Sequence, residues 1–131
     1  MGVPQVRKST PVLIVDAIEP CLRLWQECLG FARPVEVAHG DRLGFAILTN
    51  GVVELMYQTA ASLAADSSAH GAAFADDRTF LFVEVDDIDA VAAALQAFEI
   101  FMPRRETFYG TLEIGYREPG GHYVTFAQMK R

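Results

Sequence analysis

The chain is predicted to adopt an α+β fold of two tandem βαβββ modules, whose curved mixed sheets surround a cavity. Three observations support this fold class. Segments typical of strands and helices follow one another in the order βαβββ, that order returns after a linker, and the sequence matches itself when shifted by 70 residues. With 131 residues, of which 51% are hydrophobic, the chain can bury one core. We therefore expect a single domain over residues 1–131.

The first module is predicted over residues 10–58. Its helix has Pro20 in the first turn and ends at Gly30. The dipeptide Asn50-Gly51 is a strong signal for a tight two-residue hairpin before the last strand. One face of the helix carries Ile18, Leu22, Trp25 and Leu29, and the four strands are expected at 11–15, 35–38, 43–48 and 52–58.

Residues 59–78 are rich in Ala, Ser and Asp and are predicted to be a linker with a short helix near 60–65. The second module then covers residues 79–128, and Asp87 is a suitable N-cap for its helix. A Pro-Gly pair at 119–120 suits a type II turn between the last two strands. One helix face carries Ile88, Val91, Leu95 and Phe98, and the strands are expected at 80–85, 100–105, 112–117 and 122–128.

The charge balance disfavours some classes of partner. The 11 basic and 17 acidic residues give a net charge of −6, which opposes binding to nucleic acid or to an anionic membrane. No apolar run reaches the roughly 18–20 residues of a membrane span, and the N-terminus lacks the apolar stretch of a signal peptide. We therefore expect a cytoplasmic protein. Cys21 and Cys28 lie roughly 10 Å apart along one helix, too far for a disulfide, and are expected to be packed thiols.

A module of this size needs a partner for its sheet. Each has about 50 residues, and its few strands leave one apolar face that the module cannot bury alone. The two sheets must therefore pair, either within the chain or across a dimer. A cavity lined from both modules is then a natural site for a ligand.

Five short motifs add a resemblance to a known family. In chain order they are P-V-L-I-V-D at 11–16, L-G-F at 29–31, E-L-M at 54–56, V-D-D-I-D at 85–89 and E-P-G-G-H at 118–122. Together with the two repeats, they make the chain resemble the vicinal oxygen chelate superfamily over about residues 10–128. This is the group of glyoxalases, bleomycin-resistance proteins and extradiol dioxygenases.

The resemblance implies four candidate metal-binding positions, two in each repeat. Only Glu54 among them is a competent ligand, because a divalent first-row ion needs imidazole, carboxylate or thiolate donors. The resemblance therefore implies a protein without metal or cofactor. It is closest to the members that sequester bleomycin-type antibiotics, usually as homodimers with ligand sites between subunits. The four positions are Thr10, Glu54, Phe80 and Thr125.

The leading hypothesis is a homodimer that binds a small molecule in an apolar cavity, with Glu54 as its one charged anchor. An unpaired buried carboxylate would have a raised pKa, so Glu54 needs a partner for its charge, and Arg104 and Arg105 are the candidates. The acidic composition modestly favours a cationic or neutral ligand. The residues expected to bind the ligand are Glu54, Met56, Phe45, Phe80, Phe82, Arg105, Tyr109 and Thr125.

Two other functions stay open. One is a divalent-metal-dependent lyase, isomerase or dioxygenase, in which Glu54 would be a metal ligand or a general base and thus the candidate catalytic residue. A metal-free enzyme would use Glu54 as a base whose pKa is raised by burial. The other function is a non-catalytic dimerisation module, in which Phe80, Phe82 and Met56 fill the cavity. The sequence has no nucleophile motif and no glycine-rich phosphate loop.

Overall fold

A computed structural model of the protein describes residue 3 and residues 8–66, 80–107 and 110–130. The first half contains four strands and two helices, and the first helix continues as a π-helix over Arg23–Cys28. Its elements are β1 (Val12–Val15), α1 (Glu19–Leu22), β2 (Ala32–His39), β3 (Arg42–Thr49), β4 (Glu54–Thr59) and α2 (Ala60–Asp66).

The second half repeats this order of strands around one helix. Its elements are β5 (Leu81–Val85), α3 (Ile88–Ala94), β6 (Glu99–Glu106), β7 (Thr111–Arg117) and β8 (Tyr123–Met129). The predicted α+β fold of two βαβββ modules is confirmed. The part of the predicted linker at 67–78 lies outside the described residues, as does residue 79. Within the described part of the chain, no helix is both long and apolar enough to cross a membrane.

Both sheets have the same mixed topology. The strand orders are β1-β4-β3-β2 and β5-β8-β7-β6. In each sheet the first and last strands of the module pair in parallel, and the other neighbours are antiparallel. In each module the helix crosses from the first strand to the second, which lies at the opposite edge of the sheet and runs parallel to the first.

Side chains alternate between the two faces of each sheet. In β4 the buried residues Leu55, Tyr57 and Thr59 face the helices, whereas the half-buried Glu54 and Met56 face the other way. We call the face that the helices leave uncovered the open face. The first open face contains Val12, Val35, Val37, Phe45, Ile47, Glu54, Met56 and Gln58, and the second contains Phe80, Phe82, Phe101, Met102, Arg105, Glu113, Tyr123 and Thr125.

The helix-covered faces of both sheets share one hydrophobic core. Trp25 is fully buried in it, as its place on the helix stripe predicted, and its ring centroid lies 5.2 Å from that of Phe31. The indole N–H donates to the Tyr57 hydroxyl at 2.9 Å. Tyr116 and Phe126 of the second module belong to the same core. The two modules therefore meet through the faces that carry their helices.

A buried polar network ties the modules together at this contact. The Tyr57 hydroxyl donates to Glu118 Oε2 at 2.6 Å, and the His122 backbone N–H donates to Glu118 Oε1 at 2.6 Å. A ring nitrogen of His122 lies 2.7 Å from the Ile14 carbonyl oxygen, within hydrogen-bond distance. Cys21 is buried beside Glu118, and burial raises the pKa of its thiol.

Several element boundaries differ from the predictions. The hairpin after β3 has a four-residue loop instead of two, because Asn50 Oδ1 accepts the backbone N–H groups of Val52 and Val53 at 2.9 and 2.7 Å. The second module's helix ends at Ala94, short of the predicted Phe98. Its expected cap is confirmed, since Asp87 Oδ1 accepts two backbone N–H groups of the first turn.

Candidate functional site

A cavity of about 300 Å³ opens on the second open face. Among the residues that the structure describes, four aromatic rings line it, together with Met102 and Thr125. Phe80 and Phe82 are 60% and 53% exposed, so their rings border an open space and do not fill it. Such a cavity suits a planar or apolar molecule. The four rings are Phe80, Phe82, Phe101 and Tyr123.

The strand register explains how these side chains meet. Phe82 pairs with Thr125, and Thr125 pairs with Gly115 on the next strand. A Cβ atom on Gly115 would lie 2.5 Å from Cε1 of Phe101, so the missing side chain gives the Phe101 ring its place against the sheet. The Phe101 and Tyr123 rings then meet edge to face, with centroids 4.8 Å apart at 67°.

An ion pair between an exposed guanidinium and a buried carboxylate forms one side of the cavity. Glu113 is 1% exposed, and its Oε1 accepts from Arg105 Nη2 at 2.9 Å and from Nε at 3.2 Å. Its Oε2 accepts from the Thr111 hydroxyl at 2.8 Å. The Arg105 side chain is 51% exposed and lines the cavity. The carboxylate therefore lies below the guanidinium and fixes its orientation.

Glu54 lies on the other sheet and has different partners from those expected. Lys8 Nζ is 2.8 Å from Glu54 Oε2, and the Thr10 hydroxyl donates to Oε1 at 3.3 Å. The hydrogen bond from Lys8 lowers the pKa of the Glu54 carboxyl, so the expected rise through burial is wrong. The expected pairing with an arginine is also wrong, because Arg104 pairs with Asp89 and Arg105 with Glu113.

The family's metal positions do not form a metal site in this chain. Thr10 offers a hydroxyl that is hydrogen-bonded to Glu54, and the Glu54 carboxylate is already paired with Lys8. Phe80 has no donor atom, and Thr125 has only a hydroxyl. Among the residues that the structure describes, no group of three His, Cys, Asp or Glu side chains could hold a metal ion. The donor set does not fit a divalent first-row ion.

The structure brings together half of the residues expected to bind a ligand. Phe80, Phe82, Arg105 and Thr125 all line the cavity. The expected residues of the first module lie on the first open face, where β3 and β4 pair Phe45 with Gln58 and Ile47 with Met56, and Glu54 shares that face. Tyr109 lies outside the described residues.

Sequence reasoning missed Phe101, Tyr123 and Glu113. Glu113 was detectable as a lone carboxylate between Leu112 and Ile114 in an apolar strand. Its pairing with Arg105 was not, because the β6 register shifts between Met102 and Arg105. That irregularity also decides which of the two neighbouring arginines faces the cavity.

A larger groove of about 560 Å³ runs between the modules on their helical side. It is bordered by Trp25 and Phe31 from one module and by Val83, Asp87 and Ala90 from the other. The Asp87 carboxylate there caps α3. The smaller cavity is the better candidate because it combines aromatic walls with a fixed charged group.

Comparisons with known proteins agree with this architecture. Residues 7–126 match the family model described as Glyoxalase/Bleomycin resistance protein/Dioxygenase superfamily. No curated protein matches the chain significantly.

Three solved structures illustrate the similarity. A glyoxalase/bleomycin resistance protein/dioxygenase from Nocardioides has a TM-score of 0.70 at 18% identity, over 98% of this chain and 88% of that one. The bleomycin-binding protein of bleomycin-producing Streptomyces verticillus, solved with copper(II)-bleomycin, has a TM-score of 0.61 at 23% identity, over 95% and 97%. A lactoylglutathione lyase from Agrobacterium tumefaciens has a TM-score of 0.68 at 12% identity, over 96% of each chain. At these identities the likeness concerns the fold.

Proposed function

The chain belongs to the Glyoxalase/Bleomycin resistance protein/Dioxygenase superfamily, and from this premise we propose that it binds a small molecule in the cavity of its second open face, without a metal ion. The observation that carries the proposal is the set of exposed aromatic rings around that cavity. Exposed aromatic clusters of this kind are typical of binding sites. They argue against a dimerisation module whose cavity is filled by its own side chains.

The chemistry of the donor atoms supports binding without metal. A bleomycin-binding protein and a lactoylglutathione lyase both share this fold, so the fold alone does not choose between sequestration and catalysis. A metal-dependent lyase, isomerase or dioxygenase has less support, because only one of the four family positions carries a metal ligand. A general base at Glu54 has less support as well, since its pKa is lowered by Lys8.

The proposal includes a homodimer. The first open face exposes Val35 and Val37, and the second exposes Phe80 and Phe82. Exposed apolar faces of this extent mark interaction surfaces. When the first open face of one copy covers the second open face of its partner, a two-fold axis makes both contacts at once and closes the assembly. Glu54, Met56 and Phe45 then lie across the cavity from the aromatic rings. A cytoplasmic location stays a prediction of the sequence.

Thermal-shift measurements test the binding proposal. The panel contains divalent metals, aldehyde–thiol adducts, aromatic diols, aromatic acids and cationic antibiotics. A true ligand at about 100 times its Kd should raise the Tm of the wild type by roughly 5–10 °C. Phe82→Ala should lose most of this shift, whereas Val52→Ala, at a position 92% exposed in a turn, should keep it. A shift that Phe82→Ala leaves intact contradicts the assignment of the site.

A further inference from the structure

We propose that the ligand of this cavity is an aromatic carboxylate, with its ring between Phe82 and Phe101 and its carboxylate on Arg105. This inference rests on the binding function proposed above and adds the chemical class of the ligand. The inference depends on the position of the Arg105 guanidinium, which lines the cavity beside its aromatic walls.

The accessible charge at the cavity wall is positive. Arg105 is half exposed there, whereas its partner Glu113 is buried beneath it. A ligand that enters the cavity therefore meets the guanidinium first. An ammonium group on a ligand would meet the same guanidinium and would not reach the carboxylate, so a cationic ligand is disfavoured at this wall.

The guanidinium is also held in place before a ligand arrives. Glu113 Oε1 accepts from two nitrogen atoms of Arg105, and Glu113 is itself held by the Thr111 hydroxyl. A planar guanidinium with a fixed orientation matches the planar geometry of a carboxylate. Because its orientation is already set, binding costs less side-chain entropy.

This local charge outweighs the net charge of the chain. A net charge of −6 favours cationic ligands when it is considered alone. Salt screens exposed charges beyond about 8 Å, whereas a contact at hydrogen-bond distance in a partly dry cavity is screened much less. The site therefore reverses the preference that the composition suggests.

The cavity limits the size of the ligand. Its volume of about 300 Å³ equals that of roughly ten water molecules. This is the lower end of the usual range for small-molecule sites. It accommodates one or two fused rings with a carboxylate at the edge.

Three matched probes test the charge preference on the full chain. They are 2-naphthoate, 2-naphthamide and 2-naphthylmethylammonium, which share one ring system and differ in charge. Isothermal titration should show that the wild type binds naphthoate at least about tenfold more tightly than the amide, with the ammonium weakest. The advantage of naphthoate should shrink as salt is added.

A paired variant tests the role of Arg105 and leaves no buried charge behind. Arg105→Gln combined with Glu113→Gln should bind naphthoate and naphthamide with equal affinity. The matched control is Arg104→Gln with Asp89→Asn. It removes an exposed ion pair whose arginine directly precedes Arg105 in the sequence. This control should keep the wild-type preference for naphthoate.

The outcomes separate this inference from the binding proposal. If the amide or the ammonium binds as tightly as naphthoate and Phe82→Ala removes the binding, the carboxylate class is wrong and the cavity remains a binding site. If the paired variant keeps the naphthoate preference, the role of Arg105 is wrong. If none of the three probes binds, the aromatic carboxylate class is wrong, and the binding proposal fails as well only when no compound of the thermal-shift panel binds. If the probes bind and their binding is unchanged in Phe82→Ala, the cavity is not the site and both proposals fail.

Discussion

Tyr57 joins the two modules through two buried hydrogen bonds. Its hydroxyl accepts from the Trp25 indole N–H and donates to the Glu118 carboxylate. Burial, followed by the nearby charge of Glu118, raises the pKa of Tyr57 well above its ordinary value of 10.0. The hydroxyl therefore stays protonated over the physiological pH range and holds the carboxylate of the other module.

Removing this hydroxyl should weaken the contact between the modules. Tyr57→Phe leaves the indole N–H and one carboxylate oxygen without this partner, which should cost about 3 kcal/mol of unfolding free energy. Urea unfolding measures the difference. Tyr123→Phe makes the same chemical change at the half-exposed rim of the cavity and should cost less than about 0.5 kcal/mol. Equal losses in the two variants would contradict a special role for Tyr57.

The raised pKa of Tyr57 predicts how the stability of the folded state depends on pH. A pKa raised in the folded state contributes stability that is present below the unfolded pKa and is lost as pH rises above it. Cys21, with an ordinary value of 9.0, should cause such a loss above about pH 9, and Tyr57, with an ordinary value of 10.0, should cause one above about pH 10. The slope should reach about 1.4 kcal/mol per pH unit for each group. Tyr57→Phe should show a shallower slope than Tyr123→Phe, and equal slopes would refute the assignment.

At this scale the sequence identifies residue types better than partners. The stripe position of Trp25 predicts its burial because helical periodicity is local. The partner of Glu54 is Lys8, which is distant in sequence and precedes the first strand. No local pattern encodes such a contact, because the parallel pairing of β1 and β4 creates it.

Among the elements, β7 shapes the cavity through a glycine. Gly115→Ala would place its Cβ 2.5 and 2.7 Å from two ring atoms of Phe101. The half-exposed ring can move away, so unfolding free energy should change by less than about 1 kcal/mol. Ligand affinity should fall about tenfold, because one aromatic wall is displaced.

A double-mutant cycle checks this explanation. Phe101→Ala should lose a similar amount of affinity, and adding Gly115→Ala to it should cause little further loss. Titration calorimetry with the ligand found in the thermal-shift panel measures all four proteins. Additive losses would mean that Gly115 acts on the cavity by some route other than the Phe101 ring.

The sequence predicts which segments are helices or strands better than it predicts irregularities within them. Periodicity distinguishes the strands from the helices, since period-two and period-3.6 patterns are local. The π-helical spacing is different, because the Leu29 N–H donates to the Leu24 carbonyl five residues back. Nothing in the apolar stripe distinguishes that spacing from an ordinary α-helix. The β6 irregularity is equally invisible, and it decides the side of Arg105.

For the whole molecule, the repeat predicts two similar sheets but not their arrangement. Pairing of the two sheets within one chain and pairing across a dimer would bury the same apolar residues, so the sequence does not decide between them. In the structure the helix-covered faces share the core, and the two open faces stay exposed. The proposed homodimer would cover both open faces.

The proposed homodimer is tested by placing a charge on the first open face. Val37 is 55% exposed on the first open face, whereas Val52 is 92% exposed in a turn. Val37→Asp would bury a charge in the interface and should leave a monomer of 14.4 kDa, while the wild type and Val52→Asp sediment at twice that mass. Sedimentation equilibrium distinguishes these cases. A monomeric wild type would contradict the proposed pairing of open faces.

The most direct test of metal-free binding is a calorimetric titration of the wild-type protein before and after exhaustive treatment with a chelator. The titrated ligand is a compound that raises the Tm of the wild type but not that of Phe82→Ala. We expect the same affinity in both titrations and no change when Zn²⁺, Mn²⁺ or Fe²⁺ is added back. Loss of binding after chelation, with recovery at about one divalent ion per chain, would contradict the account and favour a metal-dependent enzyme.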